Sequence, residues 1–404
     1  MAGMYAFRHQ PIKGVYLTGQ VLLTCFIRLP YWVLVSLPVP WRPRPSWTLK
    51  QCLQIKFMRY IADLGDKVGD FLPRGTPTYE AIAPGKEVKA VWLEPVPELI
   101  VGELKLWAAA QNVEPARIPG YWLHSADSSD LPLGAPPRPG EKVLLHFHGG
   151  AYKILSAHPS DPTSHIPRSI LAHCAPLVRR TLSVEYRRAS AAPLPARHAF
   201  PAALLDGLAG YAYLVRVVGF APADIIVEGD SAGGNLSLAL ARYLVEHAGQ
   251  PGLPPAPGRL LLSSPWVDIG SAVRPPRGSS WQIYGEGGTD FLYPGEGFDY
   301  SINAFAGALG LHGLNLNRYT SPASRHPALG KVSFEGFPPT FITAGGCECL
   351  LDEIRVLRDR MAADMGEEAV VYREEPDAIH DYLAFAWEPA ATESYRAIAR
   401  WLGA

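Results

Sequence analysis

The sequence has few cysteines and almost no net charge. Its five cysteines are odd in number and lack the spacing of a zinc site or a disulfide framework. We therefore expect free thiols, no bound metal and no cofactor. With 37 basic and 38 acidic side chains, the formal net charge of -1 gives no excess positive field for a phosphate backbone. This balance argues against nucleic acid as a partner.

One long hydrophobic run, residues 15–40, is broken near its middle by Arg28 and Pro30. It is long enough to cross a bilayer, but the charge and the proline make it a flawed spanning helix. Two membrane arrangements are open: a single anchor kinked at Pro30, or short helices lying in the interface with aromatic residues such as Trp41 at the headgroups. Packing on the rest of the chain is the alternative. No small-residue cleavage site follows the run, which argues against a secretory signal.

We expect residues 15–40 to associate the protein with a membrane, and the endoplasmic reticulum is a candidate. Basic residues lie on both sides of the run, so the positive-inside rule fixes no orientation.

The chain as a whole can bury a substantial core, since 48% of its 404 residues are hydrophobic. Residues 48–68 have apolar positions at helical spacing and predict an amphipathic helix. Two short strands, VKAVWLEP and ELIVGELKLWA, are expected next. Buried strands then alternate with helical patterns, which predicts a mostly parallel sheet covered by helices. The expected buried strands are 143–148, 182–186, 224–230, 259–264, 339–345 and 369–375.

A nucleophile motif, Gly229-Asp230-Ser231-Ala232-Gly233, lies where a strand ends and a helix begins. With 38 glycines in the chain, the bare pattern would arise by chance in about one such sequence in five. Its position makes it specific, because a serine on a strained turn needs neighbours without bulky side chains. Ser231 is the predicted nucleophile, and Gly229, Asp230 and Gly233 are predicted to support it.

A second motif, HFHGGAY, follows the strand 143–148 and precedes Ser231 by about eighty residues. Its backbone carries few side chains at Gly149 and Gly150, so N–H groups can point at an oxyanion. We expect an oxyanion hole on this loop.

A triad also needs an acid and a histidine, in the chain order Ser, acid, His. His380 follows the last predicted strand and is the predicted base. Glu348, Asp352 and Glu353 compete for the acid. Glu348 comes first after its strand, whereas the other two are expected to begin the next helix, so Glu348 is the predicted acid.

These residues resemble the hormone-sensitive-lipase-like group of α/β-hydrolases, which includes arylacetamide deacetylases and many microbial and fungal esterases. The likeness covers roughly residue 141 to the C-terminus. It rests on motifs in the family's order: HFHGGAY, SVEYRRA with LPARHAFPAAL, EGDSAGGNL, SPWVD, RYTSPA, GGCECLLDE and DAIHDY. The resemblance implies an α/β-hydrolase fold, with helices on both faces of the sheet and a helical cap, and a serine esterase.

The resemblance also implies an oxyanion hole, whose loop and donors are His148, Gly149, Gly150, Ala151 and Ala232. Two positions depart from the family's pattern. Ala151 stands where the family has a third glycine, and Glu348 stands where aspartate is more common. Alanine keeps its N–H and glutamate keeps its charge on a longer arm, so the geometry and substrate range are more open than the activity.

The predicted division of the chain is a hydrophobic anchor and linker at 1–45, a cap helix with leading strands at 46–140, and a catalytic domain at 141–404 with a cap insertion at about 270–335. The expected substrate is a small or medium hydrophobic ester. An amidase, a formamidase or an acyltransferase with the same triad is also open, as is a ligand-binding homologue without catalysis. No oligomeric state is predicted.

Overall fold

A single sheet runs through the protein, whose computed structural model describes residues 3–70, 76–86, 88–128, 131–273 and 275–403. The strands are β1 (Lys89–Leu93), β2 (Ile118–His124), β3 (Lys142–Phe147), β4 (Val178–Val184), β5 (Ile225–Asp230), β6 (Arg259–Ser263), β7 (Thr340–Gly345) and β8 (Val370–Glu375). The α-helices are α1 (Ile12–Leu23), α2 (Leu29–Ser36), α3 (Leu49–Val68), α4 (Gly102–Ala110), α5 (His165–Cys174), α6 (Ala202–Ala212), α7 (Ala232–Glu246), α8 (Glu296–Ala306), α9 (Gly310–Asn315), α10 (Leu351–Met365) and α11 (Pro389–Leu402).

The strand order is β1-β2-β4-β3-β5-β6-β7-β8. β2 pairs antiparallel with both β1 and β4, and all the other pairs are parallel. β5 and β7 are buried at every residue, as expected of central parallel strands that both faces of the sheet cover. The carboxyl ends of β5, β6, β7 and β8 therefore meet along one edge of the sheet.

Helices cover both faces of the sheet. α5 and α11 contribute to one apolar cluster, and α6, α7 and α10 contribute to another. The predicted α/β-hydrolase architecture, a mostly parallel sheet between helices, is confirmed.

The expected strand ELIVGELKLWA is wrong. Its second half forms the helix α4, because Leu104 and Ala108 are one helical turn apart and both are buried on the same side. The expected strand in VKAVWLEP is confirmed as β1.

The N-terminal residues form one continuous helix, Ile12–Ser36, in which a π-helical turn joins α1 to α2. We call it the N-terminal helix. α3 follows, and its N-terminus is closed by a capping box in which Thr48 and Gln51 bond reciprocally. α8 and α9 lie between β6 and β7, within the predicted cap insertion. The division into 1–45, 46–140 and 141–404 stays a prediction.

Candidate active site

Ser231 lies on a strained turn between β5 and α7. Its backbone angles are φ 52° and ψ -115°, which a side-chain-bearing residue rarely adopts. Neighbouring backbone atoms leave no room for a side chain on either flanking glycine: a Cβ on Gly233 would lie 1.9 Å from the carbonyl oxygen of Phe147, and one on Gly229 would lie 2.3 Å from the backbone of Gly233. The turn is held to β6 by the N–H of Ser231, which donates to the carbonyl of Ser263 at 2.9 Å.

The loop after β3 approaches this turn closely. Gly150 has φ 99° and Ala151 has φ 52°, and the carbonyl of Gly150 accepts a hydrogen bond from the N–H of Lys153 at 2.9 Å. The N–H groups of Gly150, Ala151 and Ala232 donate to no group in the described part of the chain. These three backbone donors are therefore free to bind a negatively charged oxygen.

Gly149 differs from the other predicted donors. Its N–H donates to Oδ2 of Asp230 at 3.0 Å, so it is not available to an oxyanion. A Cβ on Gly149 would lie 3.2 Å from Cβ of Ser231, which shows how closely the two segments approach. The expectation of a donor at Gly149 is corrected: the residue ties the loop to the nucleophile turn.

His148 contacts the same loop and Tyr186. Its ring stacks on Tyr186 with centroids 4.2 Å apart, and its Nδ1 lies 2.7 Å from the carbonyl oxygen of Gly149. Burial lowers the pKa of His148 to about 3, so the ring is neutral at ordinary pH.

Glu348 follows β7 and is fully buried. Its Oε2 accepts hydrogen bonds from the hydroxyl of Ser264 at 2.6 Å and from the N–H of Gly345 at 2.9 Å. Burial raises the pKa of this carboxyl above its usual value. The competing acids lie in the first turn of α10, as expected, where Asp352 accepts from the N–H of Ser280.

His380 follows β8 and lies beside Glu348. Its Nδ1 is 3.9 Å from Oε2 of Glu348, which is close but beyond hydrogen-bond distance. Its Nε2 is 3.1 Å from Oδ2 of Asp381. Within the described ranges, no hydrogen bond joins the hydroxyl of Ser231 to the imidazole. The structure thus brings the predicted acid and base together, and it pairs the base with a carboxylate that the sequence did not predict.

Charges around the imidazole decide its protonation. Burial lowers the pKa of His380, but the charge and hydrogen bond of Asp381, together with Glu348, outweigh burial and raise the pKa well above its usual value. Asp381 is only 8% exposed, and its backbone is left-handed with φ 49°.

Two further residues were missed by sequence reasoning. Asp290, in the segment between β6 and β7, is fully buried and accepts the N–H of Cys349 at 2.8 Å and of His380 at 3.4 Å. Ser264 donates to Glu348 and accepts the N–H of Asp381 at 3.2 Å. Adjacency to His380 could have singled out Asp381, whereas Asp290 is ninety residues away in sequence and nothing in the chain around it signals a role.

The five cysteines are free thiols, as expected.

Comparison with known proteins places this arrangement in a family. A family described as having an α/β-hydrolase fold matches residues 144–384, more than half of the chain. Esterase LipU of Mycobacterium tuberculosis is 29% identical over 271 residues, which cover 67% of this chain and 80% of LipU. Carboxylesterase/phospholipase LipF of the same organism is 29% identical over 262 residues, which cover 65% of this chain and 61% of LipF.

Solved structures have the same fold. A hormone-sensitive-lipase homologue from a metagenome library is 22% identical with a TM-score of 0.55, covering 87% of this chain and 91% of its own. An esterase from the bacterial hormone-sensitive lipase family is 22% identical with a TM-score of 0.57, covering 88% and 98%. On the family match, the chain belongs to the α/β-hydrolase-fold family.

Proposed function

We propose that this chain hydrolyses carboxylic esters, with Ser231 as nucleophile, His380 as general base and Glu348 as the acid that orients the base. The observation that carries the proposal is the position of Ser231 on a strained strand-to-helix turn, close to a loop whose N–H groups at Gly150 and Ala151 donate to no described group. Relatives named as esterases support the same chemistry.

In the proposed reaction, the hydroxyl of Ser231 attacks the ester carbonyl while His380 takes its proton. The negative oxygen that forms is bound by the N–H groups of Gly150, Ala151 and Ala232. His380 then gives the proton to the leaving alcohol, and a water molecule repeats the sequence on the acyl-enzyme to release the acid.

His380 has to change partners for this step. Its Nε2 must exchange the carboxylate of Asp381 for the hydroxyl of Ser231, and its Nδ1 must close the 3.9 Å to Glu348. Catalytic hydrogen bonds are often long in a free enzyme and shorten when the substrate binds.

Hydrolysis of p-nitrophenyl acetate and of an ester series of graded chain length tests the activity and the size of the substrate. We expect Ser231→Ala to lower turnover by a factor of about a thousand or more. Ser160→Ala, at an exposed serine before α5, is the matched control and should keep full activity. Equal turnover in Ser231→Ala and in the unaltered protein would contradict the assignment.

We also propose that residues 15–40 attach the protein to a membrane, with the endoplasmic reticulum as the candidate location. The N-terminal helix supports this by length and composition: it has 25 residues, a mean hydropathy of 1.3, and no buried residue in its most apolar window. Fractionation of cells that express the chain with and without residues 1–45 tests the attachment. Recovery of the full chain in the soluble fraction would contradict it.

A further inference from the structure

The N-terminal helix runs antiparallel to α3, and its second half, α2, packs on α3. Tyr60 Oη of α3 donates to Gln20 O of the N-terminal helix at 3.4 Å. The flanking residues fix the two ends: Phe7 N donates to Lys67 O at 2.9 Å, and Arg42 Nη1 donates to Trp47 O in the linker at 2.8 Å.

Four polar residues of the N-terminal helix lie on its less exposed side. Gln20, Thr24, Arg28 and Ser36 are separated by multiples of four, and the guanidinium of Arg28 lies 4.7 Å from the centre of the Tyr60 ring. Arg28 also donates to Thr24 at 3.2 Å, and Ser36 is only 1% exposed. A stripe spaced by four would drift around an ordinary α-helix, but the π-helical turn in its middle takes more residues per turn and reduces the drift.

The remaining face is apolar and exposed. Of the 19 large hydrophobic side chains that are exposed in the described residues, ten belong to the N-terminal helix and three follow it directly. They are Ile12, Val15, Val21, Leu22, Leu23, Phe26, Ile27, Leu29, Tyr31, Leu34, Leu37, Val39 and Trp41. A surface helix of a soluble protein turns its apolar face inward, and this helix does the opposite. Such a continuous patch marks an interaction site.

Charge indicates the kind of partner. Residues 1–62 contain eight basic side chains and no aspartate or glutamate, although the whole chain has 37 basic and 38 acidic residues. Arg28, Arg44 and Arg59 are engaged within the protein. The other five form no ion pair within the described residues: Arg8, Lys13, Arg42, Lys50 and Lys56. A basic segment with an exposed apolar face is complementary to a leaflet with anionic headgroups.

The contact with α3 argues against a crossing helix. α3 has 20 residues and is therefore about 30 Å long, close to the thickness of the hydrocarbon core. It carries charged side chains such as Lys56 and Asp63, and Asp66 forms a 2.8 Å ion pair with Lys153 of the loop after β3. A helix that crossed the bilayer would bring α3 and these charges into the hydrocarbon, which strongly disfavours them.

We propose that the N-terminal helix lies flat in the headgroup region of an anionic leaflet. Its apolar face points toward the acyl chains, and α3 lies on its opposite side, away from the membrane. The inference rests on the proposed membrane attachment and specifies its arrangement and its lipid.

Flotation of the purified full chain with vesicles tests the partner. We expect binding to phosphatidylcholine vesicles that contain phosphatidylserine, and binding to phosphatidylcholine alone that is weaker by about tenfold or more.

Val15→Gln combined with Phe26→Gln should weaken vesicle binding by about tenfold or more, because two side chains that are 74% and 75% exposed no longer enter the lipid. The matched control is Leu106→Gln with Val217→Gln, both 68% exposed elsewhere, which should bind normally. Hydrolysis of a soluble ester by every variant checks the fold.

Cysteine labelling tests the arrangement. In a Cys25→Ser background, whose other four cysteines are buried, His9→Cys and Ser46→Cys place one thiol at an exposed polar position beyond each end of the N-terminal helix. A maleimide that cannot cross the bilayer should label both variants from outside the vesicles, whereas a spanning helix would protect one of them.

Each outcome has a separate meaning. Labelling of one end alone overturns the flat arrangement and leaves the membrane attachment intact. No vesicle binding overturns both, and a concentration-dependent dimer in its place identifies a second copy as the partner. Absence of esterase activity in the unaltered protein would instead contradict the proposed hydrolysis.

Discussion

At the scale of single residues, the imidazole of His380 lies between two carboxylates. Glu348 is 3.9 Å from Nδ1 and Asp381 is 3.1 Å from Nε2, the nitrogen that must receive the proton of Ser231. Asp290 binds the backbone N–H of the same histidine, and Asp230 is buried close to the site. Asp381 and Glu348 raise the pKa of this proposed base, so its protonation depends on them.

The pH dependence of activity should respond to Asp381. A general base acts in its neutral form, so kcat/KM rises as pH passes upward through the pKa of His380, which Asp381 raises. Asp381→Asn removes the negative charge, lowers this pKa and should move the acid limb of the kcat/KM profile to lower pH. Asp377→Asn, on the same loop but paired with Arg44, is the control that should leave the limb in place. An unmoved limb in Asp381→Asn would show that Asp381 does not hold the ring in solution.

Replacement of the proposed acid, Glu348, should lower kcat strongly. Glu348→Gln keeps the size of the side chain but removes the charge that orients and stabilises the imidazolium, so we expect kcat to fall by a factor of about 10³ to 10⁴. Asp352→Asn in α10 is the control and should retain kcat, because Asp352 contacts Ser280 instead of the base. A larger loss in Asp352→Asn than in Glu348→Gln would instead identify Asp352 as the acid.

Motif and chain order could predict Ser231, Glu348 and His380 as site residues, and the structure places all three at the same edge of the sheet. The rotamer that pairs His380 with Asp381 could not be predicted, because it depends on the packing of the loop after β8. Asp290 could not be predicted either, because its role depends on where the segment between β6 and β7 folds back.

At the scale of secondary structure, the loop after β3 depends on a backbone that few residues adopt. Gly150 has φ 99°, and a Cβ there would lie 2.3 Å from the carbonyl oxygen of Ile154. Ala151 also has a left-handed φ of 52°, although glycine would adopt it with less strain.

Substitutions at these two neighbouring residues should therefore affect kcat/KM differently. Gly150→Ala should displace an oxyanion donor and lower kcat/KM by a factor of about 10² to 10³. Ala151→Gly keeps the N–H and should leave kcat/KM within a factor of a few, measured on p-nitrophenyl acetate with circular dichroism to confirm the fold. Full activity in Gly150→Ala would mean that this loop does not bind the oxyanion.

Periodicity predicted most elements correctly, including β5, α7 and the helix at 49–68. It failed at ELIVGELKLWA, where a dense apolar run suits a strand or a helix equally and tertiary burial of one helical face decided between them.

At the scale of the whole molecule, hydrogen bonds join α3 to the segment between β6 and β7, and that segment to the loop after β8, which carries His380. Arg59 of α3 donates to the carbonyl oxygens of Gly285, Asp290 and Leu292. The carboxylate of Asp290 in turn holds the backbone of His380. The position of the base thus depends on a helix that precedes it by more than three hundred residues.

Removal of this link should weaken both stability and activity. Arg59→Met leaves three carbonyl oxygens without their donor, so we expect the free energy of unfolding to fall by about 2 kcal/mol and kcat/KM to fall as well. Urea unfolding and ester hydrolysis measure the two effects. Arg400→Met, which removes an exposed pair with Glu393 on α11, is the control and should change neither. A destabilised variant with unchanged kcat/KM would show that the link is structural only.

The most direct test of the proposed chemistry is the site of reaction with a fluorophosphonate probe, which forms a stable adduct with an activated serine. Peptide mapping by mass spectrometry should place the adduct on Ser231, with labelling lost in Ser231→Ala and retained in Ser160→Ala. An adduct on another serine, or no adduct on active protein, would contradict the account.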